Sequence, residues 1–177
     1  GMANITFLDC KGNISGFDTG PGNVLMDSWI QQCRHEKYDH DGKWAARGTV
    51  IAPLLKQLLD HEYFSKTPPK STGREEFNLQ WLNQHMDSSP FNAEDVQATL
   101  LELTAQTITH DLEKLPQAVN EIYICGGGAY NAQLMQRLET LNHPCLLSST
   151  SVLGIPPEWV EAAAFAWLAK QTLEKIH

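Results

Sequence analysis

The tightest constraint on the fold is a strand that is broken the moment it forms. Ile122-Tyr123-Ile124-Cys125, within Glu121–Cys125, is a short β-forming run, and Gly126, Gly127 and Gly128 stop it at once. Apolar residues at helical spacing resume over Ala129–Leu141. A strand that passes through glycines straight into a helix is an α/β signature. The rest of the chain agrees. Ile5–Asp9 and Ile14–Phe17 flank the turn Lys11-Gly12-Asn13 and predict a β-hairpin. Asn23 is a suitable N-cap for a helix over Val24–His35. Helices are expected at Thr49–Leu59, Phe77–His85 and Asn92–Leu115, with a loop over Phe64–Glu76. Pro144–Ser148 reads as another strand, and Pro156-Pro157 opens a last helix reaching Lys175. The order implies an α/β fold with one mixed sheet flanked by helices. The 177 residues, 42% of them hydrophobic, suffice for one core, so residues 1–177 are expected to form a single domain.

The formal net charge of −8 opposes binding to nucleic acid or an anionic membrane, because phosphates would be repelled. It leaves room for a nucleotide, which backbone N–H groups can hold locally. No apolar run has the length to span a bilayer, and no basic segment followed by an apolar one marks export, so a cytoplasmic location is expected. Cys10, Cys33, Cys125 and Cys145 form no CxxC pair and are expected as free thiols. Gly1 before Met2 reads as a tag-cleavage scar.

Several stretches could carry chemistry. Gly126–Gly128 could let a ligand approach the backbone, or could simply make a tight turn; the two readings stand about even, and the pattern is neither GxGxxG nor a P-loop. In Gly16-Phe17-Asp18-Thr19-Gly20-Pro21-Gly22-Asn23, a carboxylate at a strand end lies beside glycines. Phosphoryl transfer uses such a carboxylate to activate the attacking oxygen, but an Asp-Thr-Gly alone is more often an Asx-turn. Lys70-Ser71-Thr72-Gly73-Arg74-Glu75 offers cations and hydroxyls to an anion, or a solvated loop. Tyr38-Asp39-His40-Asp41-Gly42 lacks the later ligands of a calcium loop. Glu161, in the first turns of the last helix, could face a ligand, while the alanines after it suit close helix packing.

Together and in order, GFDTGPGN, YDHDGKWAARG, PKSTGREEFN, CGGGAYN and VEAAAFAWLA resemble the anhydro-N-acetylmuramic acid kinases, over Asn4 to about Lys170. The resemblance implies an RNase H-like, actin-like ATPase lobe, equivalent to the C-terminal nucleotide-binding lobe of a two-lobed sugar kinase. It implies ATP and Mg²⁺ as cofactors, with the metal held by the phosphates and by the other lobe. It also implies an anhydro amino sugar as co-substrate. Asp18 would be the catalytic base toward water. Gly126, Gly127, Gly128 and Asn131 would line the adenosine side of the cleft, and Gly20 and Gly22 would lie near the phosphates. Glu161, Lys70 and Arg74 are candidate ligand-facing residues. The family's first lobe, with its GTSxDGxD motif, has no counterpart here. A truncated reading frame or a designed fragment, inactive alone, is therefore expected, with homodimerisation through the exposed lobe surface. The alternative is a non-catalytic nucleotide-binding or self-associating module of the same fold.

Overall fold

The computed structural model describes residues 1–86 and 91–174. Strands β1 (Met2–Leu8) and β2 (Ile14–Pro21) form the hairpin, followed by helices α1 (Val24–Arg34), α2 (Ala52–Leu59), α3 (Glu62–Ser65), α4 (Leu79–His85) and α5 (Ala93–Glu113). Then come β3 (Glu121–Ile124), α6 (Ala132–Asn142), β4 (Leu146–Ser149) and α7 (Val160–Glu174). The chain is thus α/β, with helices flanking small sheets. The expected single mixed sheet is corrected: β1 and β2 pair antiparallel in one two-stranded sheet, β3 and β4 pair parallel in another, and no ladder joins them among the described residues.

The hairpin is longer than its composition suggests. Turn-forming residues from Asp18 onward read as the end of the strand, yet Met2 pairs with Pro21 and Ala3 with Gly20. Pairing with a long partner overrides local turn preference. Asn4 pairs with Asp18 and Ala3 with Gly20, which leaves Thr19 as the extra residue of a β-bulge. The Thr19 side chain is buried and donates to the Ala3 carbonyl oxygen at 3.3 Å.

Helix α5 is the spine. Residues Val96 to Ala105 are all buried, so it is covered on every side rather than on one apolar stripe. It touches α1, α2, α6 and both hairpin strands. The core around it gathers Leu25, Ile30, Leu58, Tyr63, Phe77, Leu82 and Leu100. Most of its buried polar groups are matched, Gln97 being the exception, with neither side-chain polar atom hydrogen-bonded among the described residues. Glu102 takes two hydrogen bonds from Arg137 of α6, each at 2.7 Å. Burial pushes the Glu102 carboxyl up, but the Arg137 and Gln106 hydrogen bonds prevail and hold it below the usual range. Thr104 Oγ1 lies 3.0 Å from the carbonyl oxygens of both Pro21 and Gly22, tying the end of β2 to the spine.

Smaller boundaries moved. The loop expected over Phe64–Glu76 begins inside α3, whose cap is His61. The last helix opens with a short 3₁₀ turn at Pro157–Trp159, and its expected end at Lys175 lies outside the described residues. In the Tyr38–Gly42 stretch both oxygens of Asp39 accept backbone N–H groups, of Trp44 and Ala45, and so shape the turn that follows. No helix among the described residues is long and apolar enough to cross a membrane.

The Lys70 ammonium lies 2.7 Å from Asp111 Oδ2, with both side chains 2% exposed. The pair is a buried ion pair, each charge the partner of the other. Asp111→Ala leaves that cation buried without a partner and is expected to cost about 3–5 kcal/mol of stability, measured by urea unfolding.

Candidate functional site

Asp18 is half-buried and anchored by its main chain: its N–H donates to the Lys70 carbonyl at 3.1 Å, and its carbonyl accepts from the Tyr63 hydroxyl at 2.7 Å. Burial, then the nearby charges of Asp18, Glu76 and Asp111, push that phenol well above its ordinary range, so it stays protonated and donates. The Asp18 carboxylate is held on one side only. Oδ2 accepts from Ser71 Oγ at 2.8 Å and from the Thr72 N–H at 3.0 Å. The Thr72 hydroxyl in turn donates to Glu76. Two of the stretches singled out in the sequence, GFDTGPGN and PKSTGREEFN, therefore meet at this carboxylate. A cavity of about 350 Å³ is lined by Asp18 with Asn4, Thr6, Gly16, Lys70 and Ser71.

The glycines divide into two kinds. At Gly20, φ is +140° and an added Cβ would lie 2.7 Å from the Phe64 ring. At Gly22 it would lie 2.9 Å from the Gly1 carbonyl oxygen and 3.1 Å from the Ala3 nitrogen. Both glycines are therefore required by the protein's own packing. The triple-glycine turn is open. Gly126 has φ +73° but nothing within 4 Å of a Cβ. A Cβ at Gly127 meets only Asn23 Nδ2, at 3.3 Å, and one at Gly128 only Leu134 at 3.6 Å and Asn23 Oδ1 at 3.8 Å. The Asn23 contact shows that the end of the GPGN turn and the triple-glycine turn lie side by side.

The other candidate residues separate. Lys70 turns inward to Asp111, so its ammonium is spent there, while the Lys70 carbonyl and the Ser71 hydroxyl of its segment hold Asp18. Asn131 is buried and caps α6, its Oδ1 accepting the Leu134 N–H at 3.1 Å. A Cβ on Gly42 would clash with that same oxygen, so the cap is enclosed from behind. Arg74 is exposed, near enough to Asp27 to pull its carboxyl down against burial, which prevails and raises it. Glu161, exposed in the first turn of α7, adds its charge to burial in raising the Cys125 thiol, so it stands near the end of β3. Among the described residues no three His, Cys, Asp or Glu side chains gather as metal ligands. Sequence reasoning passed over Tyr63 and Asp111, whose partners lie far along the chain and leave no local signal. It read Asn23 only as a cap, a role its side chain does not take.

A family model described as anhydro-N-acetylmuramic acid kinase matches residues 1–177. The chain is 51% identical over 177 residues to the anhydro-N-acetylmuramic acid kinase of Pseudomonas savastanoi pv. phaseolicola, covering 99% of this chain and 49% of that protein. It is 54% identical over 173 residues to the enzyme of that name from Shewanella baltica, covering 96% of this chain and 46% of that protein. The chain thus spans about half the length of these curated relatives.

The two kinds of glycine respond differently to a methyl group. Gly20→Ala meets both the Phe64 ring and a left-handed backbone and is expected to cost about 1–3 kcal/mol. Gly127→Ala has an ordinary φ and presses only on the Asn23 carboxamide, at 3.3 Å, a side chain that can shift; it is expected to stay within about 1 kcal/mol of wild type, both by urea unfolding.

Proposed function

The chain belongs to the anhydro-N-acetylmuramic acid kinase family, and from that premise we propose that its 177 residues are the nucleotide-binding lobe of such a kinase, of RNase H-like, actin-like topology. The observation that supports this most is the adjacency of two turns: Asn23, at the end of the turn after Asp18, lies against Gly127 and Gly128. A nucleotide lying on the triple-glycine turn would have its phosphates directed toward β2. Gly126, Gly127 and Gly128 would take the adenosine side, because among the described residues a Cβ added at any of them would meet no side chains but those of Asn23 and Leu134. Gly20 and Gly22 would act indirectly, by letting the turn fold tightly enough to reach that edge. Asn131 would set the start of α6 beneath the nucleotide through its cap.

Asp18 would be the general base. Ser71 and Thr72 hold Oδ2, and Oδ1, with no partner among the described residues, would take the proton from a water molecule. That water adds across the 1,6-anhydro bridge of the sugar, and the freed O6 accepts the γ-phosphoryl group of ATP. Binding would hold carboxylate, sugar and phosphate in line, which supplies most of the rate in such transfers. Glu161 and Arg74 would border the sugar or phosphates from α7 and from the segment after Ser71. Magnesium would ride on the phosphates; the described residues do not gather a site for it, and no step is assigned to it.

The relatives are about twice as long, so this lobe alone would lack much of the phosphate clamp and would show no appreciable turnover. A second copy is the proposed partner, in the cytoplasm. Helix α7 leaves Phe165 71%, Trp167 59% and Leu173 84% exposed, apolar surface that a homodimer would cover. The lobe fold without chemistry, a nucleotide-binding or self-associating module, is the reading that remains if the base is idle.

Calorimetric titration of ATP with Mg²⁺ tests the site. Wild type is expected to bind and Gly127→Trp, which fills the opening, to lose binding altogether. Equal binding by both variants would place the nucleotide elsewhere.

A further inference from the structure

We propose that the open edges of β1 and β3 border one slot that receives a single extended strand, donated by the part of a family chain that these 177 residues do not span. Such a site goes beyond the kinase reading and exists whether or not a nucleotide binds.

The register of the hairpin tells which backbone groups its edge offers. The Asp18 N–H turns away from β1 to the Lys70 carbonyl, so Asn4 and Asp18 form an opposed pair whose N–H and C=O groups point outward. Alternation puts Thr6, opposite Gly16, in the same class. The far edge of β2 meets the Lys70 segment. The far edge of β1, with Asn4 and Thr6, meets no backbone partner among the described residues. In the other sheet the Asn120 carbonyl accepts the Leu146 N–H at 2.9 Å. Ile122 and Ile124 therefore face β4, and Glu121 and Tyr123 direct their N–H and C=O groups to the side without a strand. Unpaired rows of this kind are templates for another strand.

The two edges meet at one end. The Gly1 carbonyl, at the start of β1, accepts the N–H groups of Gly22 and Val24 at 3.0 and 3.3 Å. The Asn23 side chain between those two lies against Gly127, just past the end of β3. Burial lowers the Gly1 amino group and raises the Cys125 thiol, and the charge of Glu161 raises both, so both stand near that one side chain. β1 thus starts where β3 ends. A strand laid between them runs antiparallel to one and parallel to the other, as in a mixed sheet.

Side-chain burial shows the same vacancy beside each edge. Phe17 is buried, but Ile5 opposite it on β1 is only half-buried, as are Ile122 and Ile124 of β3. A two-stranded sheet alone is marginal, and one added strand would join both pairs into a single sheet. The occupant is a short run of apolar β-formers. A second copy of this chain has none to spare, since its described strands are all paired already. The relatives are about twice as long, and the donor lies in that further length.

The experiment titrates the full 177-residue chain with overlapping synthetic peptides of about 15 residues, enough to hold a strand of about five or six. They tile the part of the Pseudomonas savastanoi enzyme outside the match, with scrambled peptides as controls. Fluorescence anisotropy reads binding, and amide hydrogen exchange reads where it occurs. One run of that sequence is expected to bind and to slow exchange at Asn4, Thr6, Glu121 and Tyr123 together by about tenfold or more. Thr6→Pro and Tyr123→Pro each remove one outward N–H and spare the existing ladder, and each is expected to weaken that peptide about tenfold. Whichever variant folds carries the comparison, and the exchange pattern carries it if neither does. Binding no better than the scrambled controls overturns the proposal, as does protection on only one of the two strands or unchanged affinity in a folded proline variant. Protection of the four amides in the chain alone, rising with its concentration, overturns it too, because the occupant would then be a second copy.

Discussion

The ion pair between Lys70 and Asp111 joins the two parts of the structure on which the site depends. One partner stands near the end of the spine helix; the other begins the segment that holds Asp18. Both are sealed from water, at 2% side-chain exposure. Buried charges stabilise little in net terms, but they tolerate only one arrangement, since separating them leaves a charge in a poor solvent. The Lys70 stem is also ringed by Phe17 and Tyr63, with the ammonium 5.9 Å and 5.0 Å from their ring centroids. This side chain therefore fixes where its own backbone runs. That backbone accepts the Asp18 N–H, and the next two residues bind the Asp18 carboxylate.

From this follows a one-sided carboxylate. A base that is hydrogen-bonded on both oxygens is a poor proton acceptor, and one that is held on neither wanders. Here the fold spends Oδ2 on Ser71 and Thr72 and turns the residue toward a cavity. The bulge at Thr19 sits directly beyond it, and bulges are a common device for re-aiming a side chain at a working edge. Thr104 then carries the constraint forward, holding the next turn so that Asn23 reaches the triple-glycine turn.

Much of this was legible in the sequence, where the signal is local. Apolar spacing located α1, α2, α5 and α6 to within a few residues, and the Gly12 turn located the hairpin. The glycine-broken strand at Gly126 was equally plain. Distant pairing was not legible. Nothing near Asp18 announces that Met2–Asn4 will extend β2 through a run of turn-formers, or that Asp111 waits for Lys70. The same limit explains the glycines: sequence treats Gly20 and Gly127 alike, and only coordinates show one crowded by Phe64 and the other open. It also explains the sheet, since strand order across non-adjacent segments has no local signature and the expected continuous sheet is two separate pairs. Asn131 shows the converse, a motif residue whose visible work is an ordinary helix cap.

The proposal that one nucleotide spans the triple-glycine turn and the turn after Asp18 is most directly tested by amide chemical-shift mapping of the isotope-labelled chain during titration with ATP. The account predicts the largest shifts at Gly126–Gly128, at Asn23 and around Asp18, moving together with one saturation curve. Shifts concentrated instead around His61, Phe64 and His110, which line the other sizeable cavity, would contradict it.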